Sequence, residues 1–420
     1  MEHTRFSIPV IVLLLICWST LLHAQWVQTN GPGTGPVNSL VASGTNVIAG
    51  EYMGNVYRST DNGTHWSLAN TGLPGTAEFV YSLAVVGTDF IAGTYDSGAY
   101  RSTDNGVSWT AASTGLAGGG LYINCFAVGG ENLFAGTFNG VYRSTNNGTS
   151  WMPANTGMTT AEAKTVNALA VINSNLFAGT QGAGVLRSID NGTSWTSVNT
   201  GLDSVPFGSG PNPFYVQALA VMGTNLFVGT TGGVFVSTDS GAHWNGGREG
   251  LDIYSLAVIG RNLFIGTDQG VYRTSDNGRS WVSENTGLAN NGGTVGSLAV
   301  NDTLLFAGIN DRVWKRSLSE ITASVRQTAS DLPTEVRLEQ NYPNPVNGST
   351  TIGFSIPASG WVSLRVYDID GREVATLVNE NLSQGGYSVS WNSTEISNGS
   401  YRYVLESDGV VQTRSLIVMK

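Results

Sequence analysis

The stretch VYRSTDNGTHW at residues 56–66 returns along the chain as AYRSTDNGVSW (99–109), VYRSTNNGTSW (141–151), VLRSIDNGTSW (185–195), VFVSTDSGAHW (234–244) and VYRTSDNGRSW (271–281). Each copy runs from a short β-prone segment into Asp, Asn and Gly, the residues of tight turns, and ends on Trp. In the first copy Asp61 is placed to accept backbone N–H groups, Gly63 is free to adopt positive φ, Ser59 can bond across the same hairpin, and Trp66 offers a large apolar face. Ser, Asp and Arg together invite a catalytic reading. Against it, Asn146 stands where the other copies carry an acid, and Arg58, Arg101, Arg143, Arg187 and Arg273 recur at one strand position of successive units, which spreads them apart. Asp61, Asp104, Asn146, Asp190, Asp239 and Asp276 are therefore read as structural turn residues.

The Trp residues at 66, 109, 151, 195, 244 and 281 have a mean spacing of 43 residues, the length of one four-stranded blade of a β-propeller. Each unit should supply an innermost strand such as SLAVV, a second such as DFIAGT, a third such as AYRST and a fourth starting at the Trp. Seven inner strands fit this pattern, at Leu40, Leu83, Phe126, Leu169, Leu219, Leu256 and Leu298, but only six turns accompany them. The seventh unit, SLAVNDTLLFAGINDRVWKRSL, ends without a turn or a fourth strand. At residues 25–33, QWVQTNGPG matches the fourth-strand pattern HWSLANTGL, with Trp26 in the Trp slot. The expectation is an all-β chain whose seven-bladed β-propeller, residues 25–318, is closed by its N-terminal strand, so that no edge is left unpaired between first and last blades.

Composition narrows the function classes. With a formal charge of −10 and Lys164, Lys315 and Lys420 as the only lysines, the chain has no basic face for a phosphate backbone, and no nucleic-acid partner is expected. Residues 1–24 read as a signal peptide, with Arg5 before an apolar run and small Ala24 before Gln25; no transmembrane span is expected in the mature chain. Cys17 falls in that segment, which leaves Cys125 the only thiol, in a slot filled elsewhere by Ser82 or Ala168, so it reads as a buried spacer. The remaining histidines, His65 and His243, hold the same turn position in different units and cannot meet, which removes a His-based triad or metal site. GTQGAGV lacks the Lys and following helix of a phosphate loop, and Asp368-Ile369-Asp370-Gly371 lacks the other ligands of a calcium loop. No catalytic residue, metal or cofactor is expected.

Six near-complete copies of Ser-x-Asp-x-Gly-x-x-Trp resemble the Asp box, or BNR repeat, of sialidase-type propellers, over residues 25 to 318. In the resembling enzymes these boxes lie away from the active site. Sialidases also pair an arginine triad with a Tyr nucleophile and an acidic partner, and their Arg-Ile-Pro motif is absent from this sequence.

The repeat stops near residue 318. Residues 319–335, polar and Pro-punctuated, read as a linker. Residues 336–420 show about seven short strand patterns, among them TTIGFSIP, WVSLRVYD and YRYVLES, which fits a small Ig-like β-sandwich. The segments LEQNYPNPVNGSTTIGFSIP, VYDIDGREVATLVN, GGYSVSWNSTEISNGSYRYVLES and the terminal LIVMK resemble the C-terminal sorting domain of the type IX secretion pathway. That resemblance implies export by the signal peptide, recognition of residues 336–420 by the type IX machinery, and a secreted or cell-surface product.

Two functions then compete: a noncatalytic module that binds a glycan, peptide or partner protein, and a secreted glycoside hydrolase of sialidase-like or xyloglucanase-like type. Inner-strand Leu (Phe126 in unit three) to Trp distances of 25 or 26 residues keep the second-to-third-strand loops short, whereas enzymes on this fold usually carry long insertions that wall a cleft; binding is favoured. Candidate ligand contacts are Glu51, Asp96, Asp268 and Asp311 in those loops, and Phe207, Phe214 and Tyr215 in the insertion DSVPFGSGPNPFY.

Overall fold

The computed structural model describes residues 25–52, 54–75, 79–172, 174–202, 215–288, 293–318, 325–328, 333–393 and 396–419. Among them, seven four-stranded antiparallel sheets lie between Val27 and Ser317. In the second sheet the strands are Val80–Val86, Asp89–Thr94, Ala99–Ser102 and Thr110–Ala111, paired in chain order from inside to outside. The inner strand of each sheet packs beside that of the next, and Val37–Ser43 of the first sheet touches Val295–Val300 of the seventh, so the sheets form a closed ring.

The second strands explain why the sequence shows runs such as FIAGT rather than alternation. In Asp89–Thr94 every residue after the first is buried, because both faces meet neighbouring sheets. Gly93 sits in that run because the next sheet comes close: a Cβ there would lie 2.7 Å from Ile123 Cγ2. Each inner strand also carries a β-bulge at its second residue, for example between Val80 and Ser82, which leaves Tyr81 out of the ladder.

The repeated turn works as a side-chain cage for backbone. Ser59 Oγ donates to Asp61 Oδ1 (2.8 Å) and accepts from Gly63 N (2.8 Å), while Asp61 Oδ1 accepts from Thr64 N (3.0 Å) and His65 N (2.8 Å). Asn62 and Gly63 take φ of 56° and 76°, the left-handed region that Asn and Gly tolerate. Asn146 does the same with its amide oxygen, accepting from Ser150 N at 2.9 Å. The Trp then ties sheet to sheet. Trp109 Nε1 donates to Ala69 O (2.9 Å), Trp151 to Ala112 O (2.9 Å) and Trp195 to Ala154 O (2.8 Å), each acceptor lying in the preceding unit.

The seventh sheet is completed from the other end of the chain. Val27 pairs with Lys315 and Gln28 with Trp314. Trp26 is 2% exposed and repeats the Trp geometry, its backbone N donating to Thr286 O (2.9 Å) and its Nε1 to Glu284 O (2.6 Å). Glu284 in turn accepts from Arg273 Nε (2.6 Å) and Arg316 Nη1 (2.7 Å), an ion network at the closing seam.

Residues 325–328, expected within a linker, instead form the strand Val325–Thr328, which pairs with Gly385–Asn392. It joins a sheet with Ser349–Ile356 and Arg337–Leu338, and a second sheet holds Glu373–Leu382, Gly360–Tyr367, Gly399–Ser407 and Val410–Val418. Their shared core includes Phe354, Leu364, Trp391, Tyr403 and Leu416. The Asn341-Tyr342-Pro343-Asn344-Pro345 segment latches the last strand: Asn344 Oδ1 accepts from Ile417 N (2.9 Å), and Val346 N donates to Ile417 O (2.7 Å). Asn341 holds the segment's shape, its Nδ2 donating to Pro343 O and Thr350 Oγ1, both at 3.0 Å. A cavity of about 400 Å³ beside this latch is lined by Asn344, Ile369, Tyr401, Arg402 and Ile417.

Candidate binding site

Ring position decides which side chains can cooperate. The last residue of each second strand is Glu51, Thr94, Thr137, Thr180, Thr230, Thr267 or Ile309, and all of these are buried. The five threonines close their own hairpins, as Thr94 Oγ1 does by donating to Gly98 O at 3.0 Å. Glu51 shares this slot, and its proposed contact with a ligand is corrected by its surroundings. It is 0% exposed, and its carboxylate is consumed by the incoming chain, accepting from Thr34 N (3.1 Å), Gly35 N (3.2 Å) and the Thr34 hydroxyl.

The next residue in each unit is the one that reaches solvent. Around the ring it is Tyr52, Tyr95, Phe138, Gln181, Thr231, Asp268 and Asn310. Most of these residues bond back to the residue just before the inner strand: Tyr52 N to Pro36 O (2.8 Å), Tyr95 N to Phe79 O (3.0 Å), Phe138 N to Tyr122 O (3.3 Å) and Gln181 N to Thr165 O (2.9 Å). Tyr215 and Asp252 precede the inner strands of the fifth and sixth sheets.

In the first three sheets these slots are aromatic and form one continuous arc. Tyr52 stacks on Phe79 with centroids 4.4 Å apart, Phe79 meets Tyr95 edge-on at 5.9 Å, Tyr95 meets Tyr122 at 4.8 Å, and Tyr122 stacks on Phe138 at 5.2 Å. The bulge in the second sheet adds Tyr81, which lies 6.1 Å from Phe79 and 5.6 Å from Tyr95; re-aiming one side chain is what a bulge does to a strand. Tyr52, Tyr95 and Phe138 remain 43%, 38% and 41% exposed, so this is an open aromatic surface and not a core. Burial, with the phenols of Tyr52 and Tyr95 close by, raises the Tyr81 pKa above its ordinary value, so the group stays neutral.

The expected acidic residues do not converge. Asp96 is exposed beside Tyr95 on the arc, Asp311 is half exposed and lies 3.8 Å from Arg312, and Asp268 accepts a long bond from Asp252 N (3.4 Å) on the sixth sheet. Asp252, which the sequence reading passed over, has its pKa raised by burial and by Asp268. Tyr215 forms an isolated bridge with Gln181; Phe207 and Phe214 lie outside the described residues. His65 and His243 each contact the Asp of their own turn, at 2.6 and 2.8 Å. Burial pushes the Cys125 thiol up to about 12, far from a nucleophile's range. Among the described residues no group of three His, Cys, Asp or Glu could hold a metal, and no helix is long and apolar enough to cross a membrane.

The fold has known neighbours. YCF48 bound to D1 peptide superposes with a TM-score of 0.53 at 15% identity, over 70% of this chain and 96% of that one. The WD40 β-propeller domain of Doa1 gives 0.52 at 13%, over 71% and 97%. The extracellular domain of the hybrid two-component system BT3049 from B. thetaiotaomicron gives 0.55 at 13%, covering 94% of this chain and 57% of that one. At such identities the likeness establishes a propeller-type fold. No curated protein matches the sequence. Residues 340–419 match the secretion system C-terminal sorting domain, which indicates secretion of this β-propeller chain through the type IX system to the cell surface or the extracellular space.

Proposed function

We propose that this chain is an exported, noncatalytic binding module: a signal peptide (1–24), a seven-bladed propeller of Asp-box type (25–318) that engages its ligand through the aromatic arc, and an Ig-like sorting domain within 336–420. The observation that carries the reading is the arc itself, five rings in unbroken contact across three sheets with a sixth, Tyr81, joined by a bulge. Exposed aromatic side chains on rigid strand ends supply contact area at small entropic cost. Asp96 is the charged neighbour that fits this surface, while Asp268 and Asp311 stand apart from it and Glu51 is spent internally.

Glycoside hydrolysis is the competing reading, and Asp252 beside Asp268 is the observation in its favour, since a carboxyl of raised pKa next to a second carboxylate is the pairing such chemistry uses. The two readings separate in one experiment. The purified protein is screened against polysaccharides, oligosaccharides and peptides for binding, with product release assayed in the same wells. Binding that is lost in Tyr95→Ala, with no product from any substrate, is the expected result. Product release that disappears in Asp252→Asn or Asp268→Asn overturns the noncatalytic reading.

A further inference from the structure

Resting on the reading of the arc as a binding surface, we infer that its ligand is a neutral saccharide chain, whose sugar rings lie along the aromatic faces from Tyr52 to Phe138 and whose hydroxyls pair with Tyr52, Tyr81 and Tyr95.

Three features of the arc select this chemistry. Its successive rings are 4.4 to 5.9 Å apart and extend across three neighbouring sheets, so it presents a line of apolar surface rather than one pocket. A sugar ring offers a flat apolar C–H face to such a surface, and a chain of sugars offers that face repeatedly. Second, among the described residues the hydroxyls of Tyr52, Tyr81 and Tyr95 have no hydrogen-bond partner in the protein. A phenol can donate one hydrogen bond and accept others, which matches a sugar hydroxyl, itself both donor and acceptor. An apolar peptide side chain laid over the arc would leave unpaired each of these groups from which it displaced water.

Third, the arc and its continuation are uncharged or acidic. At the solvent-reaching slot the ring carries Tyr52, Tyr95, Phe138, Gln181, Thr231, Asp268 and Asn310, with Asp96 adjacent to Tyr95 and no Arg or Lys. Anionic ligands are recognised by cationic forks, above all Arg, and this slot has none. At this slot an acidic sugar, a phosphorylated group or an acidic peptide would therefore meet no cation; the nearby Arg312 is held beside Asp311, 3.8 Å away. Beyond Phe138 the slot turns to Gln181 and Thr231, amide and hydroxyl groups that continue the hydrogen-bonding edge without adding charge.

The test is isothermal titration of the purified protein with cellohexaose, mannohexaose, xylohexaose and maltohexaose, with a galacturonic acid hexamer and a tyrosine-free peptide pool as contrasting probes. Binding of at least one neutral hexasaccharide is expected. Tyr95→Ala and Phe138→Ala should each weaken it about tenfold, in the range of one lost stacking contact. Tyr95→Phe, which removes only a hydroxyl, should weaken it several-fold, and Leu68→Ala on an outer strand should leave it unchanged. Unaltered circular dichroism establishes that each variant is folded. Arc-dependent binding of the acidic hexamer or of peptides, with the neutral sugars inert, overturns the saccharide assignment and leaves the arc as the binding surface. If no probe binds in an arc-dependent way, both readings fall.

Discussion

Replacing Trp26 with Ala tests how the ring is closed. Trp26 is 2% exposed and belongs to the same core cluster as Phe264, Leu288 and Trp314, so the substitution removes a large side chain from between the sixth and seventh sheets. Truncating a buried Trp to Ala costs about 3–5 kcal/mol. The Glu284 carbonyl would lose its 2.6 Å bond from Trp26 Nε1 but would keep Arg316 Nη1 at 3.3 Å, so the hydrogen-bond loss adds little. Trp281 is the internal control. It is half-buried, and its Nε1 stays within its own turn, bonded to Gly278 O at 3.1 Å, so Trp281→Ala should cost about 1–3 kcal/mol. Urea unfolding followed by circular dichroism reads both values. At roughly 2 °C per kcal/mol for a body of this size, Trp26→Ala should also lower Tm by about 6–10 °C. A Trp26→Ala protein within about 1 kcal/mol of the parent, or one more stable than Trp281→Ala, would refute the closure argument.

Two further outcomes follow from the turns and from the latch. Asp104 and Asp190 are held down at about 2 chiefly by the Ser108 and Ser194 hydroxyls, and Asp239 at about 2 by the backbone N–H of His243. Because folding lowers these values below the unfolded carboxylate range near 3.9, the stability they contribute is fully present above about pH 4 and is lost as pH falls toward 2; a urea midpoint that stays level between pH 5 and pH 2 would contradict this. Asn344→Ala should free the last strand by removing the acceptor for Ile417 N. Hydrogen exchange at Ile417 and Met419 should then rise and surface delivery should fall, whereas unchanged exchange would show that the latch is not needed to hold the strand.

The ring was legible because its signals are local and repeated. The Trp, the Asp and the positive-φ Gly fall at fixed offsets, so six copies correct one another, and the closing strand could be recognised because Trp26 fills the Trp slot and Asn30 aligns with Asn70. The structure ties this strand into the repeat: Trp66 Nε1 donates to Thr29 Oγ1 at 3.2 Å, where Trp109, Trp151 and Trp195 each reach an Ala carbonyl of the preceding unit. The segment VRQT has no such repetition. Polar surroundings and a nearby Pro make residues 325–328 look like linker, and an edge strand pairs on one side only, which leaves little periodicity to detect.

The arc was missed through register, and register matters here because neighbouring slots in one hairpin have opposite fates. Glu51 ends a strand and is buried, Asp268 stands one residue beyond a strand end, and Asp96 and Asp311 stand two beyond, so grouping them by charge mixed three different positions. Counted instead from each second-strand end, GEY, GTY and GTF line up as GTQ, GTT, GTD and GIN do, and the aromatic run through three consecutive units stands out. Its partners Phe79 and Tyr122 could be found only by knowing that in the first four sheets the residue before the inner strand bonds to that slot, a pairing that joins positions 16 residues apart. Tyr81 needed the bulge as well, since a regular strand would have kept it in the ladder. In a ring of near-identical sheets the strands must stay constant to pack, whereas slots at strand ends can vary without disturbing the closure. The slots where the repeat changes its chemistry while keeping its geometry are therefore where one unit can differ from the next without cost to the ring, and the proposed binding arc occupies three of them.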